Sequence, residues 1–167
     1  MPRHSLFIVL ISALLGACAT PATGPLYADY QLQHPSSPDK AKLTIFRQHF
    51  DYTAKARSAR IKLNGQKVGG VDIDGFISLQ TTTGKHILSA DLPDHPGACE
   101  LGLDLLPDTE YFFEVNIRDD AIAPALLFGA LGAAIETSGK TCGGLFAIRQ
   151  VEKDYADSIL KVSRYSQ

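Results

Sequence analysis

Apolar and polar residues alternate over short stretches throughout residues 41–151, which is the pattern of half-buried β-strands. Turn signals separate these stretches, and the strongest is Asn64-Gly65, because both residues tolerate the positive φ angles of a type I′ hairpin. Pro107-Asp108 predicts a second hairpin, between residues 101–106 and 110–118. The stretches that predict strands are 42–47, 57–64, 66–72, 75–80, 86–91, 101–106, 110–118 and 145–151.

The last part of the chain changes to a helical period. Apolar residues at 155, 156, 159, 160 and 162 predict a short helix over residues 152–162. Many short strands followed by one short helix favour a mainly β fold. We therefore expect an antiparallel β-sandwich of about seven to eight strands with a short C-terminal helix and a hydrophobic insert at residues 121–135.

The N-terminal residues have a different pattern. An uncharged apolar run over residues 6–17 follows Arg3, and its length suits a signal peptide better than a membrane-spanning helix. It ends in Leu15-Gly16-Ala17-Cys18, which resembles a bacterial lipobox. The resemblance implies cleavage between Ala17 and Cys18, a diacylglycerol on the Cys18 sulfur and a fatty acid such as palmitate on its freed amine. Residues 1–17 are thus predicted to be a lipoprotein signal peptide.

The predicted mature chain is anchored to a membrane and does not span it. Two or three acyl chains on Cys18 give stable anchoring. Ala19 favours the outer membrane over the inner one, under a sorting rule in which Asp at this position favours retention. We expect residues 18–40, which are rich in Pro, Ser and Thr, to form an extended tether. Residues 41–167 form the folded domain, which would face the periplasm.

The chain contains three cysteines. If Cys18 is lipidated, Cys99 and Cys142 remain, and both precede predicted strands. An even number of cysteines in an oxidising compartment predicts a disulfide between them. The alternative is two free, buried thiols.

Composition excludes several classes of protein. The chain is 45% hydrophobic and 20% charged, with a formal net charge of −2, which argues against a disordered chain and a basic nucleic-acid binder. The charge is segregated, since residues 40–67 are mainly basic and residues 72–120 mainly acidic. Arg57, Arg60 and Lys62 are therefore candidates for binding anionic lipid or an anionic envelope polymer. The alternative is that neighbouring strands neutralise each other.

Residues 121–135 are almost entirely apolar and carry no charge. Three interpretations are open: an insert packed on the core, an element that contacts the membrane or a second copy of the chain, or a partner-binding surface. Because the segment is too short to span a bilayer, a transmembrane helix is not expected. Its candidate interaction residues are Leu126, Leu127, Phe128 and Leu131.

The order of motifs resembles a bacterial family, the domain of unknown function numbered 2846. The stretches LTIFR, RIKLNGQKVGGV, GFISLQTTTGKHILSA, LGLDLLPDTEYFFEV, GGLFAIRQV and EKDYADSIL carry the resemblance over residues 41–162. The resemblance implies a small sandwich similar to PEGA-like or prealbumin-like modules of envelope lipoproteins. It implies no catalytic residues.

No catalytic motif is recognisable in the sequence. Asp91, Asp94 and His95 lie close together, but without a second cluster they indicate a polar turn, not a metal site. We predict a non-catalytic protein without metal or cofactor, which acts as a binding or assembly module for an envelope protein or polymer. The alternatives are a structural oligomer or membrane-interacting protein that acts through residues 121–135 and, more remotely, an enzyme of envelope glycans.

Overall fold

Two β-sheets packed face to face form the domain, in a computed structural model that describes residues 21–48, 57–118 and 142–166. One sheet has five strands in the order β8-β7-β1-β4-β9, and the other has four in the order β3-β2-β5-β6. Two helices accompany the sheets, α1 (Tyr27–Gln33) and α2 (Lys153–Leu160). The strands are β1 (Ala41–Arg47), β2 (Ala59–Leu63), β3 (Gln66–Val71), β4 (Gly75–Thr81), β5 (Gly84–Asp91), β6 (Ala98–Leu105), β7 (Thr109–Ile117), β8 (Phe146–Val151) and β9 (Arg164–Tyr165).

The mainly β sandwich and the short C-terminal helix predicted from the sequence are confirmed. The predicted hairpin turn also forms, with φ angles of 51° at Asn64 and 79° at Gly65. The described residues contain nine strands, slightly more than predicted, because β9 is a two-residue strand that no alternation marks. The predicted insert at 121–135 lies outside the described residues.

The prediction that the sandwich is antiparallel holds for the four-stranded sheet and needs correction for the five-stranded sheet. Strand β1 pairs antiparallel with β4 but parallel with β7, and β4 pairs parallel with β9, so the five-stranded sheet is mixed. The predicted hairpin of residues 101–106 with 110–118 is also wrong. Strand β6 pairs with β5 and β7 pairs with β1, so the turn at Pro107-Asp108 carries the chain from one sheet to the other.

The main hydrophobic core fills the space between the sheets. Every second residue of a strand points to the same face, and these residues are apolar on the inner face of each sheet. In β1 they are Leu43 and Ile45, and in β2 they are Ala59 and Ile61, all four fully buried. Phe113 and Phe146 add the largest buried side chains of this core.

The outer face of the five-stranded sheet is covered by the two helices. A second apolar cluster lies there, in which Phe46, Phe76 and Phe112 pack against Ala156 and Leu160 of α2. Helix α1 adds two tyrosines, and the rings of Tyr27 and Phe76 meet edge to face with centroids 5.1 Å apart. All seven residues of β1 are therefore buried, including the polar ones.

Helix α1 differs from the extended tether predicted for residues 18–40. Residues 27–33 are helical, and the three-residue spacing places Tyr27 and Tyr30 on one side of the helix, where both rings contact Phe76. Prolines lie on both sides of this helix and not within it.

Candidate functional site

The outer face of the four-stranded sheet carries neither of the two helices of the described residues. On this face, which we call the open face, Arg60 and Lys62 are partly exposed, whereas Ser89 and Asp91 are buried. Its residues alternate with the core residues of β2, β5 and β6, and Ile87 of β5 remains 50% exposed.

A hollow of about 580 Å³ lies at one end of the open face. It forms beside Gly102 of β6, where an added Cβ atom would meet no other atom within 4 Å. Because Gly102 is the register partner of Ile87, its missing side chain exposes the flank of an apolar residue. The hollow is lined by Asn64, Lys85, His86, Ile87, Gly102, Leu103 and Asp104.

The polar rim of this hollow is held by a short hydrogen-bond chain. The Asn64 side-chain amide donates to His86 Nδ1 at 2.9 Å, and the Asn64 Oδ1 atom accepts from the Ile87 backbone N–H at 2.9 Å. His86 Nε2 lies 2.9 Å from the Thr82 carbonyl oxygen. A neutral His86 with its proton on Nε2 satisfies both contacts, so the rim offers a fixed orientation of the imidazole.

The predicted interaction residues Arg57, Arg60 and Lys62 are paired with carboxylates. Arg60 Nε lies 2.5 Å and Lys62 Nζ 2.6 Å from the two carboxylate oxygens of Asp91, which faces Arg60 across the β2–β5 pair. Arg57 forms an ion pair with Asp94. These contacts follow the alternative in which neighbouring strands neutralise each other.

The pairing with Arg60 and Lys62 determines the direction in which the pKa of Asp91 shifts. Burial by itself would raise that pKa, but hydrogen bonds and charge from Arg60 and Lys62 outweigh burial and lower it. The hydrogen bond from Arg57 likewise lowers the pKa of Asp94. Both carboxylates therefore stay ionised well into acid, and the open face presents compensated charges instead of a basic surface.

Asp91 is the last residue of β5, and Asp94 and His95 lie in the turn that follows it. Each of the three residues already has a partner within the domain. His95 Nδ1 lies 2.9 Å from the Pro96 carbonyl oxygen, and both aspartates are engaged by cations. Among residues 21–48, 57–118 and 142–166, no group of three His, Cys, Asp or Glu side chains is arranged to hold a metal ion.

A polar cluster under helix α2 was not foreseen from the sequence. Glu114 of β7 is only 1% exposed, and its carboxylate accepts hydrogen bonds from Gln48 at 2.8 Å, Arg149 at 2.6 Å and the Tyr155 hydroxyl at 3.1 Å. The Arg149 guanidinium also lies over the Tyr155 ring, 5.3 Å from its centroid. The cluster attaches α2 to the sheet, and Glu114 in a run of apolar β7 residues was its one visible signal.

A second polar cluster lies under helix α1. The Glu110 carboxylate accepts hydrogen bonds from the Tyr27 hydroxyl at 3.2 Å and from Thr44 at 3.1 Å, and Lys42 Nζ lies 3.5 Å away. Burial, followed by the charge of Glu110, raises the pKa of Tyr27. Lys42 also donates to Gln31 of α1. Alternation in β1 indicated a solvent face for Lys42 and Thr44, whereas the structure covers them with a helix.

Cys99 and Cys142 form a disulfide, as predicted. Cys99 lies in β6 of the four-stranded sheet, and Cys142 precedes β8 of the five-stranded sheet. Cys142 forms an isolated antiparallel bridge with Cys99, so the bond links β6 to the chain segment that leads into β8. It also closes a segment with a sequence separation of 43 residues.

The remaining predicted sites lie outside the described residues: Ala17 and Cys18 of the cleavage and lipidation site, and Leu126, Leu127, Phe128 and Leu131 of the apolar segment. In the described ranges 21–48, 57–118 and 142–166, neither helix is long and apolar enough to cross a bilayer.

Comparisons of the chain with protein-family models, with curated proteins and with solved structures gave no match. The resemblance to the domain of unknown function numbered 2846 therefore stays a prediction.

Proposed function

We propose that the chain is a non-catalytic lipoprotein of the bacterial cell envelope, anchored through acylated Cys18 to the periplasmic face of the outer membrane. The observation that carries this proposal is the disulfide. Of the three cysteines in the sequence, Cys99 and Cys142 are bonded to each other, which leaves Cys18 at the end of the lipobox-like sequence. A disulfide is typical of proteins that fold in the oxidising periplasm.

The domain acts as a binding or assembly module through its open face. The five-stranded sheet, which we call the covered sheet, packs against other parts of the domain on both faces. On the open face, Ile87 and the hollow beside Gly102 remain accessible to a partner. Because Arg57, Arg60 and Lys62 are already paired with Asp91 and Asp94, an anionic polymer would have to compete with carboxylates held in place. We therefore favour an envelope protein as the partner.

The anchor is tested by Cys18→Ala in the full-length chain. We expect the wild-type protein to take up a palmitate analogue during growth and to fractionate with outer membranes, and we expect the variant to do neither. Ala19→Asp is the matched control, since it preserves the acylated cysteine: it should still take up the label, but under the sorting rule it should remain in the inner membrane. A variant at Cys18 that still takes up the label and remains in the membrane would overturn the proposal.

The binding face is tested by a photo-crosslinking amino acid placed at Ile87 in cells. The matched control carries the same group at Val162, which is 66% exposed and lies after helix α2, away from the open face. We expect position 87, and not 162, to capture an envelope protein of distinct mass. Capture of a second copy of this chain would favour the structural oligomer, and capture of glycan alone would contradict the protein partner.

A further inference from the structure

The first described residues of the chain are attached to the sandwich. The Ala22 N–H donates to the Ile73 carbonyl oxygen at 3.2 Å, and Ala22 is only 8% exposed. The Gly24 N–H donates to the Tyr165 carbonyl at 3.0 Å, and the Tyr165 N–H donates back to Pro25 at 2.9 Å. Residues 24–27 thus run antiparallel to residues 163–165, and together with Ala22 they form a short strip beside β9.

This attachment leaves a very short free connection to Cys18. From Cys18 to Ala22 there are four residue steps, which span at most about 14 Å when fully extended. A free tether over residues 18–40 would have reached several nanometres. The docked strip therefore removes most of the reach that the sequence indicated.

Ala22 lies at one particular end of the sandwich, which we call the β3–β4 end because the turn of residues 72–74 is there. The strand registers place the same ends of the other strands beside it, through the pairs Arg47–Gly75, Ala59–Val71, Arg60–Asp91 and Asp91–Ala98. The opposite end holds the turn at Asn64-Gly65 and residues 82–83. Strand β5 has eight residues, so the two ends are about 26 Å apart.

We infer that the β3–β4 end is the surface of the domain that lies against the lipid headgroups. The inference rests on the proposed lipidation of Cys18, because acyl chains hold that residue at the membrane surface. With Ala22 within about 14 Å of Cys18, this end cannot leave the headgroup region while the strip stays docked. The occupant of the surface is the lipid of the protein's own leaflet.

Charged side chains at the β3–β4 end already have partners within the domain. Arg57 and Asp94 form an ion pair whose side chains are 48% and 59% exposed, and Arg164 donates to the Gly24 carbonyl within the strip. The short anchor, and not net charge, therefore keeps the β3–β4 end close to the lipid headgroups. This closeness should persist when salt screens surface charges.

The two described residues on either side of residues 119–141 lie at the same end. Arg118 donates through its guanidinium to the Cys142 carbonyl oxygen at 2.7 Å and through its backbone to Leu145 at 2.9 Å. The chain that contains the apolar residues 121–135 therefore leaves and rejoins the described domain at the β3–β4 end.

The orientation can be measured with two fluorescent labels. Ser58→Cys and Thr83→Cys each introduce a free thiol at an exposed position, the first at the β3–β4 end and the second at the opposite end. The lipidated full chain is reconstituted in vesicles of phosphatidylethanolamine and phosphatidylglycerol that carry a headgroup spin label. We expect several-fold stronger quenching at position 58 than at position 83, in low and in high salt.

A variant that detaches the strip tests its role. A Cβ atom on Gly24 would lie 2.5 Å from the Tyr165 carbonyl oxygen, so Gly24→Val cannot keep the strip in place. Thr23→Val is the matched control, because residue 23 is exposed. We expect Gly24→Val to remain bound to vesicles but to lose the difference in quenching between the two labels, and we expect Thr23→Val to keep it.

The possible results distinguish a failure of the proposed orientation from a failure of the proposed lipid anchor. Equal quenching at positions 58 and 83 in vesicle-bound wild-type protein would overturn the orientation and leave the lipid anchor standing. A persistent difference in Gly24→Val would also overturn it, because the strip would then not set the orientation. Wild-type protein that does not associate with vesicles at all would overturn the proposed lipidation, and the orientation with it.

Discussion

The outer faces of the two sheets differ in how far their polar side chains are exposed to solvent. In the five-stranded sheet, Thr44 and Glu114 lie on the outer face yet are fully or almost fully buried under helices. In the four-stranded sheet, Arg60 and Lys62 lie on the outer face with side chains 32% and 29% exposed. The same alternation of residues thus describes a covered face in one sheet and an open face in the other.

This difference predicts which substitutions will change the stability of the domain and which will leave it nearly unchanged. A buried carboxylate such as Glu114 needs its hydrogen-bond partners, because leaving it unpaired costs about 1–3 kcal/mol or more. Exposed ion pairs contribute at most about 1 kcal/mol. Substitutions on the covered sheet are therefore expected to unfold the protein, and substitutions on the open face are expected to spare the fold and report on binding.

Removing the disulfide should have the largest effect, because this bond closes a long segment of the chain. The chain-entropy relation for a separation of 43 residues gives about 4 kcal/mol for the double variant Cys99→Ala with Cys142→Ala. Urea unfolding of the chain that begins at Ala19 measures the loss. Reductant added to the wild-type chain is the control and should reproduce it. An unchanged midpoint in the double variant would show that this bond does not stabilise the folded domain.

Removing apolar contacts under helix α2 should have the next largest effect. Leu160 is fully buried in the second cluster, so Leu160→Ala is expected to lower the free energy of unfolding by about 3 kcal/mol. Val162→Ala, two residues further on and 66% exposed, should change it by less than about 0.5 kcal/mol. Equal effects of the two substitutions would contradict a second core on the outer face of the five-stranded sheet.

The sequence predicted those parts of the fold that depend on neighbouring residues. Alternation predicted the strands, Asn64-Gly65 predicted the hairpin turn, and the helical period predicted α2. Parallel pairing of β1 with β7 could not be predicted, because the two strands are more than 60 residues apart and alternation within a strand does not specify its partner. Helix α1 was missed because its seven residues form a helix only when tertiary packing supports them.

The candidate site was predicted less completely than the fold. The disulfide followed from counting cysteines, and Arg60 and Lys62 were recognised from the segregation of charge along the sequence. Their partners were not identified, because Asp91 is brought to Arg60 by the register of β2 with β5, which the sequence does not specify. The hollow beside Gly102 was missed for the same reason, since it depends on which residue faces a glycine across the sheet.

Breaking the ion pairs of the open face should have a smaller and pH-dependent effect. Asp91→Asn leaves Arg60 and Lys62 without their carboxylate and should cost about 1 kcal/mol or less at pH 7. Because the folded pKa of Asp91 is lowered, its contribution is present above the unfolded pKa of about 3.9 and is lost as the pH falls through the folded pKa.

Urea unfolding at several pH values checks the pH dependence. The wild-type chain and Asp91→Asn should differ at pH 7 and converge below about pH 4. Asp94→Asn is the control, and its effect should be smaller because its carboxylate is 59% exposed against 8% for Asp91. A difference of several kcal/mol that persists in acid would indicate that Asp91 supports the fold like a residue of the covered sheet.

Filling the hollow should have the smallest effect on stability and a specific effect on binding. A Cβ atom at Gly102 would meet no atom within 4 Å, and residue 102 faces Ile87 across the sheet, so Gly102→Val should raise the free energy of unfolding by about 0.5 kcal/mol. Gly69→Val is the matched control, because its Cβ atom would lie 3.0 Å from Ile77 Cδ1 in the core and should destabilise the domain. If the hollow receives the partner, Gly102→Val abolishes crosslinking from position 87 in a protein at least as stable as the wild type. Undiminished crosslinking would place the partner elsewhere on the open face, and loss of stability would show that this sheet is as closely packed as the covered one.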